Sequence, residues 1–238
     1  MKVVSEQILA ESELFRNIPL PEVKGVLDCL GSISRQYKKG ETILSAGDTT
    51  DSAGVILAGS VYIEQTDIWG NQNIISSAEA GELFAETYAS VPGEPLMVNV
   101  TAAKDCEILF FNIQKILGTC LGECSFHSVL VRNLLTIISS KNLSLTRKIN
   151  HITPKSIRGR VVAYLSDQAK RQGSYSFEIP FNRQHLADYL CVDRSALSGE
   201  LGKMRQEGLI RFDKNRFTLT NASPEQGSSR TAAAGRSD

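Results

Sequence analysis

The chain has 238 residues, enough for one large domain or two modest ones, and 42% of them are apolar, ample for packed cores. Its 26 Lys and Arg balance 26 Asp and Glu, so the total charge gives no sign of a nucleic-acid partner. No run of 18 apolar residues exists to span a membrane, and Met1–Ala10 lacks a signal-peptide core, so a cytoplasmic protein without a membrane partner is expected.

The charge is nevertheless unevenly placed. Residues 1–150 carry 12 Lys and Arg against 17 Asp and Glu, a net of −5, while residues 151–238 carry 14 against 9, a net of +5. Positive charge therefore gathers in the C-terminal part, as phosphate binding would require.

Ser5–Cys29 reads as short helices. From about Gln36 to Asn112, short β-rich runs follow one another: Val55–Leu57, Val61–Ile63, Asn73–Ser76, Val98–Ala102 and Ile108–Phe111. Gly40, Gly47, Gly59, Gly70 and Gly81 fall between or beside them at turn positions, which predicts a compact β-barrel or jelly roll.

Roughly Ile113 to Ile152 should be helical for most of its length. Within it Val131, Leu135, Ile138, Asn142, Leu145, Ile149 and Ile152 are spaced alternately four and three apart, a heptad seam. A second stripe, Leu130, Leu134 and Ile137, can face the barrel. Two stripes need two partners, and the second could be the same helix of another copy. The alternative is a helix buried on both sides within one subunit. Asn142 favours the dimer, because a lone Asn in a coiled-coil seam fixes register by pairing with its symmetry mate.

Pro154 breaks that helix, and Ile157–Gln172 is a further amphipathic one. The segment Phe181–Leu209 then reads as two short helices joined by a tight turn. Asn182 can cap the first, with Leu186, Ala187 and Leu190 on its apolar face. Cys191–Val192 makes the turn, and Asp193 caps a second helix with the stripe Leu197, Leu201 and Met204. Arg194, Ser195, Ser198 and Gly199 face away from that stripe. Arg and Ser at the start of a helix suit the reading of base edges in a major groove, although an ordinary helical hairpin has the same apolar pattern. Leu209–Phe212 and Arg216–Thr220 flank Asp213–Lys214–Asn215 as a hairpin, which makes the element winged. The tail 221–238, rich in Ser, Ala, Gly and Arg, is expected to be disordered.

The five cysteines form no CxxC pair and no Cys/His zinc spacing. Cys120 and Cys124 lie four apart and would share a helix face, which leaves a redox role open. No nucleophile–base pair, metal-ligand spacing or phosphate-cradling glycine loop is present, so neither an enzyme nor a metal site is expected.

In its order of glycine-punctuated barrel, long helix and winged helix-turn-helix, the chain resembles the cyclic-AMP receptor protein / fumarate-nitrate reductase regulator (Crp/Fnr) family. The resemblance runs from about Phe15 to Thr220. It rests on KKGETILSAGD and VILAGSVYI in the barrel and on the more specific NRQHLADYLCVDRSALSGELGKMRQEGLI. It implies an α+β fold: a cyclic-nucleotide-binding-like β jelly roll sensing an effector over residues 1–125, a dimerisation helix over 126–152, and a winged helix-turn-helix over 153–220. By that resemblance Arg183 touches phosphate, while Arg194, Ser195 and Ser198 face the groove of a palindromic operator. It likewise implies a homodimer and RNA polymerase as partners, with Val131, Leu135, Ile138, Asn142, Leu145 and Ile149 in the dimer seam. A sensor whose C-terminal domain contacts protein instead of DNA is the other reading.

Three departures stand out. Gly199 occupies a position where relatives commonly carry a second Arg, and Cys191 a turn position where Gly is usual. The effector pocket departs further. Relatives that bind cyclic nucleotides carry a Gly-Glu pair for the ribose and an Arg-Ser pair for the phosphate, and here these positions read Ala85–Glu86 and Leu96–Met97. A pocket of Leu83, Phe84, Glu86, Leu96, Met97, Asn142 and Leu145 offers a buried phosphate no cationic side chain, so a cyclic nucleotide is not the expected effector. The iron–sulfur route needs an N-terminal cysteine cluster, yet the first cysteine is Cys29. None of His127, His151 and His185 lies within the barrel. No cofactor is assigned; the pocket is either empty or holds another, less polar small molecule.

Overall fold

The computed structural model describes residues 3–66, 72–118 and 126–220. The expectations for Gly70, for Cys120 and Cys124 and for the tail 221–238 lie outside these residues. Two units, residues 1–142 and 143–238, divide within one long helix.

The first unit opens with α1 (Val3–Glu11) and α2 (Leu20–Leu30), the latter closed by Gly31 in the left-handed conformation. Eight strands follow: β1 (Ile33–Tyr37), β2 (Thr42–Leu44), β3 (Ser52–Ala58), β4 (Ser60–Thr66), β5 (Gln72–Glu79), β6 (Leu83–Phe84), β7 (Asn99–Ala102) and β8 (Cys106–Asn112). Short helices α3 (Glu86–Ser90) and α4 (Ile113–Leu117) precede the 26-residue α5 (His127–Ile152). The strands form two antiparallel four-stranded sheets, ordered β1-β8-β3-β6 and β2-β7-β4-β5. Every predicted strand is there, and β1, β2 and β6 are additions. The predicted helix from Ile113 is interrupted, with α4 ending at Leu117 before α5 begins.

Alternation along β3 explains how the roll is covered. Ile56 points between the sheets with Val61, Val100, Ala102 and Ile108. Its neighbours Val55 and Leu57 point the other way, into a cluster with Val23 and Leu27 of α2 and with Leu130, Leu134 and Ile137 of α5. The stripe expected to face the barrel thus does so, and β3 is apolar from Ala53 to Leu57 because both of its faces are buried there. Inside the roll, Phe84 stands edge-to-face with Phe110, and Phe110 with Tyr37, at 6.1 and 6.5 Å between ring centres. Gly54 makes room for the Phe84 ring, since a Cβ there would lie 2.5 Å from two ring carbons.

The second unit carries the end of α5, then α6 (Ile157–Gln172), β9 (Ser176–Glu178), α7 (Arg183–Tyr189), α8 (Arg194–Gln206), β10 (Ile210–Asp213) and β11 (Arg216–Leu219). The wing is a three-stranded sheet, β10-β11-β9, one strand larger than the hairpin expected. Its core joins Val161 and Leu165 of α6 to Leu186 and Ala187 of α7, Leu197, Leu201 and Met204 of α8, and Phe177 and Phe217 of the sheet. At one side Tyr164, Phe181 and Tyr189 stack around buried His151, whose Nδ1 lies 2.9 Å from the Tyr189 hydroxyl. Burial pushes the His151 imidazole below its ordinary pKa, against the pull of the nearby Asp167 carboxylate.

Candidate nucleic-acid interface and effector pocket

The helix-turn-helix is assembled by its caps. The Asn182 side chain accepts the His185 amide at 2.9 Å, and Asp193 accepts the Ala196 amide at 2.9 Å, each satisfying an orphan donor at a helix start. Asp193 also takes the Ser195 hydroxyl, and these donors hold its carboxyl below the usual range. Between the helices, Cys191 adopts φ 54°, a left-handed conformation that costs a side-chain-bearing residue about 1–2 kcal/mol. Arg160 of α6 braces this turn by donating to the carbonyls of Leu190 and Cys191, both at 2.9 Å.

Cys191→Gly is therefore expected to stabilise the second unit by about 0.5–1 kcal/mol, the relief of strain exceeding the entropy that glycine adds to the unfolded chain. A thermal melt of the two proteins measures it, and an unchanged or lower melting temperature would contradict the strain assigned to this turn.

The outer face of α8 presents Arg194, Ser195, Ser198 and Gly199 to solvent, while Leu197, Leu201 and Met204 are buried. Ser198 donates to the Arg194 carbonyl at 2.9 Å. Nothing lies within 4 Å of a Cβ built on Gly199, so the missing side chain leaves open surface. The helix is aimed by Arg158 of α6, which pairs with Glu200 and forms a two-pronged bond to Glu207 at 2.7 and 2.8 Å. That pairing raises the Arg158 pKa and lowers that of Glu207. The charged spacing of Arg158, Glu200 and Glu207 gave no signal at the sequence level, because the three meet only through the fold.

Arg183 is placed differently from a free surface cation. Its guanidinium lies over the Phe212 and Phe217 rings at 4.6 and 5.1 Å, with Nη1 buried and without a hydrogen-bond partner. Burial lowers its pKa. It anchors α7 to the wing, and only part of its fork is turned outward.

In the first unit, Ala85 is the capping residue just before α3 at φ 61°, so an alanine occupies a left-handed site suited to glycine. Glu86 is 97% buried, and Lys141 of α5 reaches it at 2.8 Å while also donating to the Leu83 carbonyl at 2.7 Å. This pair joins the roll to α5, and Lys141 had no place among the expected pocket residues. Leu83, Phe84 and Leu96 are buried, but Met97 beside Leu96 is 66% exposed and Leu145 is 63% exposed. The Met97 amide meets the Tyr88 hydroxyl of α3 at 3.4 Å. The expected pocket is thus split into packed apolar residues and exposed ones. Along the heptad seam Leu135, Asn142, Leu145 and Ile149 are exposed, whereas Val131 and Ile138 are half-buried against the first unit's core. Among the described residues no group of three His, Cys, Asp or Glu could hold a metal ion, and no helix is long and apolar enough to cross a membrane.

A cyclic nucleotide-binding domain model matches residues 34–121, and a Crp-like helix-turn-helix domain model matches residues 159–223. The chain belongs to the Crp/Fnr family of DNA-binding transcription regulators. Among Crp/Fnr relatives, the transcriptional activator FnrL of Cereibacter sphaeroides is 21% identical over 78% of this chain and 75% of its own. The cAMP-activated global transcriptional regulator Vfr of Pseudomonas aeruginosa is 22% identical over 74% of this chain and 84% of its own. In fold, the chain is similar to CprK complexed with OCPA, with a TM-score of 0.59, 14% identity, and 85% of this chain and 92% of that one covered. The Crp-like helix-turn-helix match and the named relatives point to a transcription regulator.

Proposed function

We propose that this Crp/Fnr regulator works as a homodimer that reads a palindromic operator with α8 of each copy, and that its roll answers to a small molecule other than a cyclic nucleotide. The observation that carries the DNA-reading part is the outer face of α8, where Arg194, Ser195 and Ser198 are exposed at a capped helix start in the basic part of the chain. RNA polymerase is the further partner this role implies, and the cytoplasm its compartment. Selection from a random DNA library is expected to return a two-fold palindrome. Enrichment of no sequence, or of single half-sites only, would count against the reading.

Arg194 is the one long donor at the beginning of α8, where it can fork onto guanine O6 and N7. Arg194→Ala should weaken cognate binding by about 1–3 kcal/mol and alter non-specific binding less. Equal losses in a gel-shift titration on both DNAs would make Arg194 a phosphate clamp instead.

For the effector, Leu96 and Met97 carry neither charge nor donor in their side chains, and Lys141 is engaged by Glu86 and the Leu83 carbonyl. A cyclic phosphate bound here would be left without a cationic partner. Calorimetry with millimolar cyclic AMP or cyclic GMP is expected to show no heat of binding. A micromolar dissociation constant for either would overturn this part of the proposal.

A further inference from the structure

The two sheets of the roll close tightly where Phe84 and Ile56 fill the interior, but between β1 and β2 they leave a cleft of about 420 Å³. None of its lining residues belongs to the expected effector pocket. The cleft follows from β1 being an edge strand. Its alternate residues Ile33, Arg35 and Tyr37 share a face, and Ile33 pairs with Phe110 of β8 across the ladder. Ile43 and Leu44 of β2 complete the apolar lining. Ile33 is 58% exposed, so this apolar side chain stands in the cleft without being covered.

Two cations line the same cleft. Arg35 comes from β1 and Lys115 from α4, and neither makes an ion pair among the described residues. The acidic neighbour Asp51 is engaged elsewhere, accepting the Asn112 side-chain amide at 2.7 Å and the Ser52 hydroxyl at 2.8 Å. Apolar and aromatic walls with a few convergent polar groups, at this volume, are the makings of a small-molecule site. Two unpaired cations in the same cleft favour an anion.

We propose that the β1/β2 cleft binds a small amphipathic monoanion, an apolar body of roughly ten carbon atoms bearing a carboxylate. The body packs against Tyr37, Ile43 and Phe110, and the carboxylate sits between Arg35 and Lys115. This site is separate from the Glu86–Lys141 region, and it does not depend on the dimer or on the DNA-reading proposal.

The test is a methyl NMR titration of the full chain with 2-naphthoate and, separately, decanoate, using their neutral amides as controls. Binding of either acid supports the site, and which of them binds tells an aromatic from a fatty acid source. The expected result is a dissociation constant below about 1 mM with shifts at the methyls of Ile33, Ile43 and Leu44. The amides should bind at least about tenfold more weakly, and Arg35→Gln and Lys115→Gln should each weaken the acid by about fivefold or more while the remaining methyl spectrum is preserved. No saturable shift from either acid would overturn the proposal. So would shifts confined to Leu83 and Leu96, or equal affinity for acid and amide in the unsubstituted protein.

Discussion

Leu135→Asp is expected to give a monomer at micromolar concentration and to reduce binding to a palindromic operator by at least about a hundredfold, because two linked half-sites become two separate ones. Leu135 is 64% exposed, while Leu134 beside it and Leu130 and Ile137 one turn away are buried in the first unit's core. The substitution therefore leaves the roll's own packing intact, and the melting of that unit should change little. In a parallel seam two carboxylates would be buried together by symmetry, each costing several kcal/mol when unpaired. Operator binding suffers although residue 135 lies outside the helix-turn-helix. In the proposed dimer a fixed two-fold axis would set the two α8 helices about 34 Å apart, one turn of duplex. Asn142→Leu should act oppositely on the seam, strengthening association while loosening its register. Sedimentation velocity decides the matter. A wild-type monomer, or a Leu135→Asp monomer that still binds the palindrome tightly, would reduce the exposed stripe on α5 to a surface without a second copy.

Gly59→Ala should cost the first unit about 3–5 kcal/mol, much of the 5–15 kcal/mol typical of a whole domain. Gly59 turns the chain from β3 into β4 at φ 83°, and a Cβ there would lie 2.4 Å from the Asp105 carbonyl and 2.9 Å from the Cys106 Cα. The obstruction is backbone at the start of β8, an inner strand of its sheet, so no side chain can swing aside to relieve it. Left-handed strain of about 1–2 kcal/mol adds to the overlap. Chemical denaturation of the wild type and variant gives the difference directly. A loss below about 1 kcal/mol would mean that the turn re-forms in another shape.

Much of this architecture could be read from the residues alone, for local reasons. The helix from Ile157 to Gln172 has the bounds that its apolar period predicts, and Asn182 and Asp193 cap the helices they precede. Caps and periods act within four residues, so they survive folding unchanged. What escaped the sequence depends on distant pairing. Strand β9 has three residues and exists only because β11 presents an edge to it. Arg183 carries the same charge in any reading, but two aromatic rings of the wing draw it inward. Lys141 meets Glu86 across 55 positions of chain, and neither residue's neighbours announce the other. Met97 alternates with buried Leu96 on a segment too irregular for strand period to assign a face.

The two serines on α8 have already spent their only hydrogens. Ser195 gives its proton to the Asp193 carboxylate and Ser198 to the Arg194 carbonyl. A serine hydroxyl has one proton and two lone pairs, so both oxygens face outward as acceptors. Guanine O6, adenine N7 and thymine O4 are acceptors too, and they would meet such oxygens lone pair to lone pair. The complementary edges are the exocyclic amino groups of adenine and cytosine. As long as the cap of α8 stays closed, Arg194 and the serines speak for opposite polarities, the arginine donating and the hydroxyls receiving. An operator that satisfied this face would set a guanine edge beside an amino-bearing base.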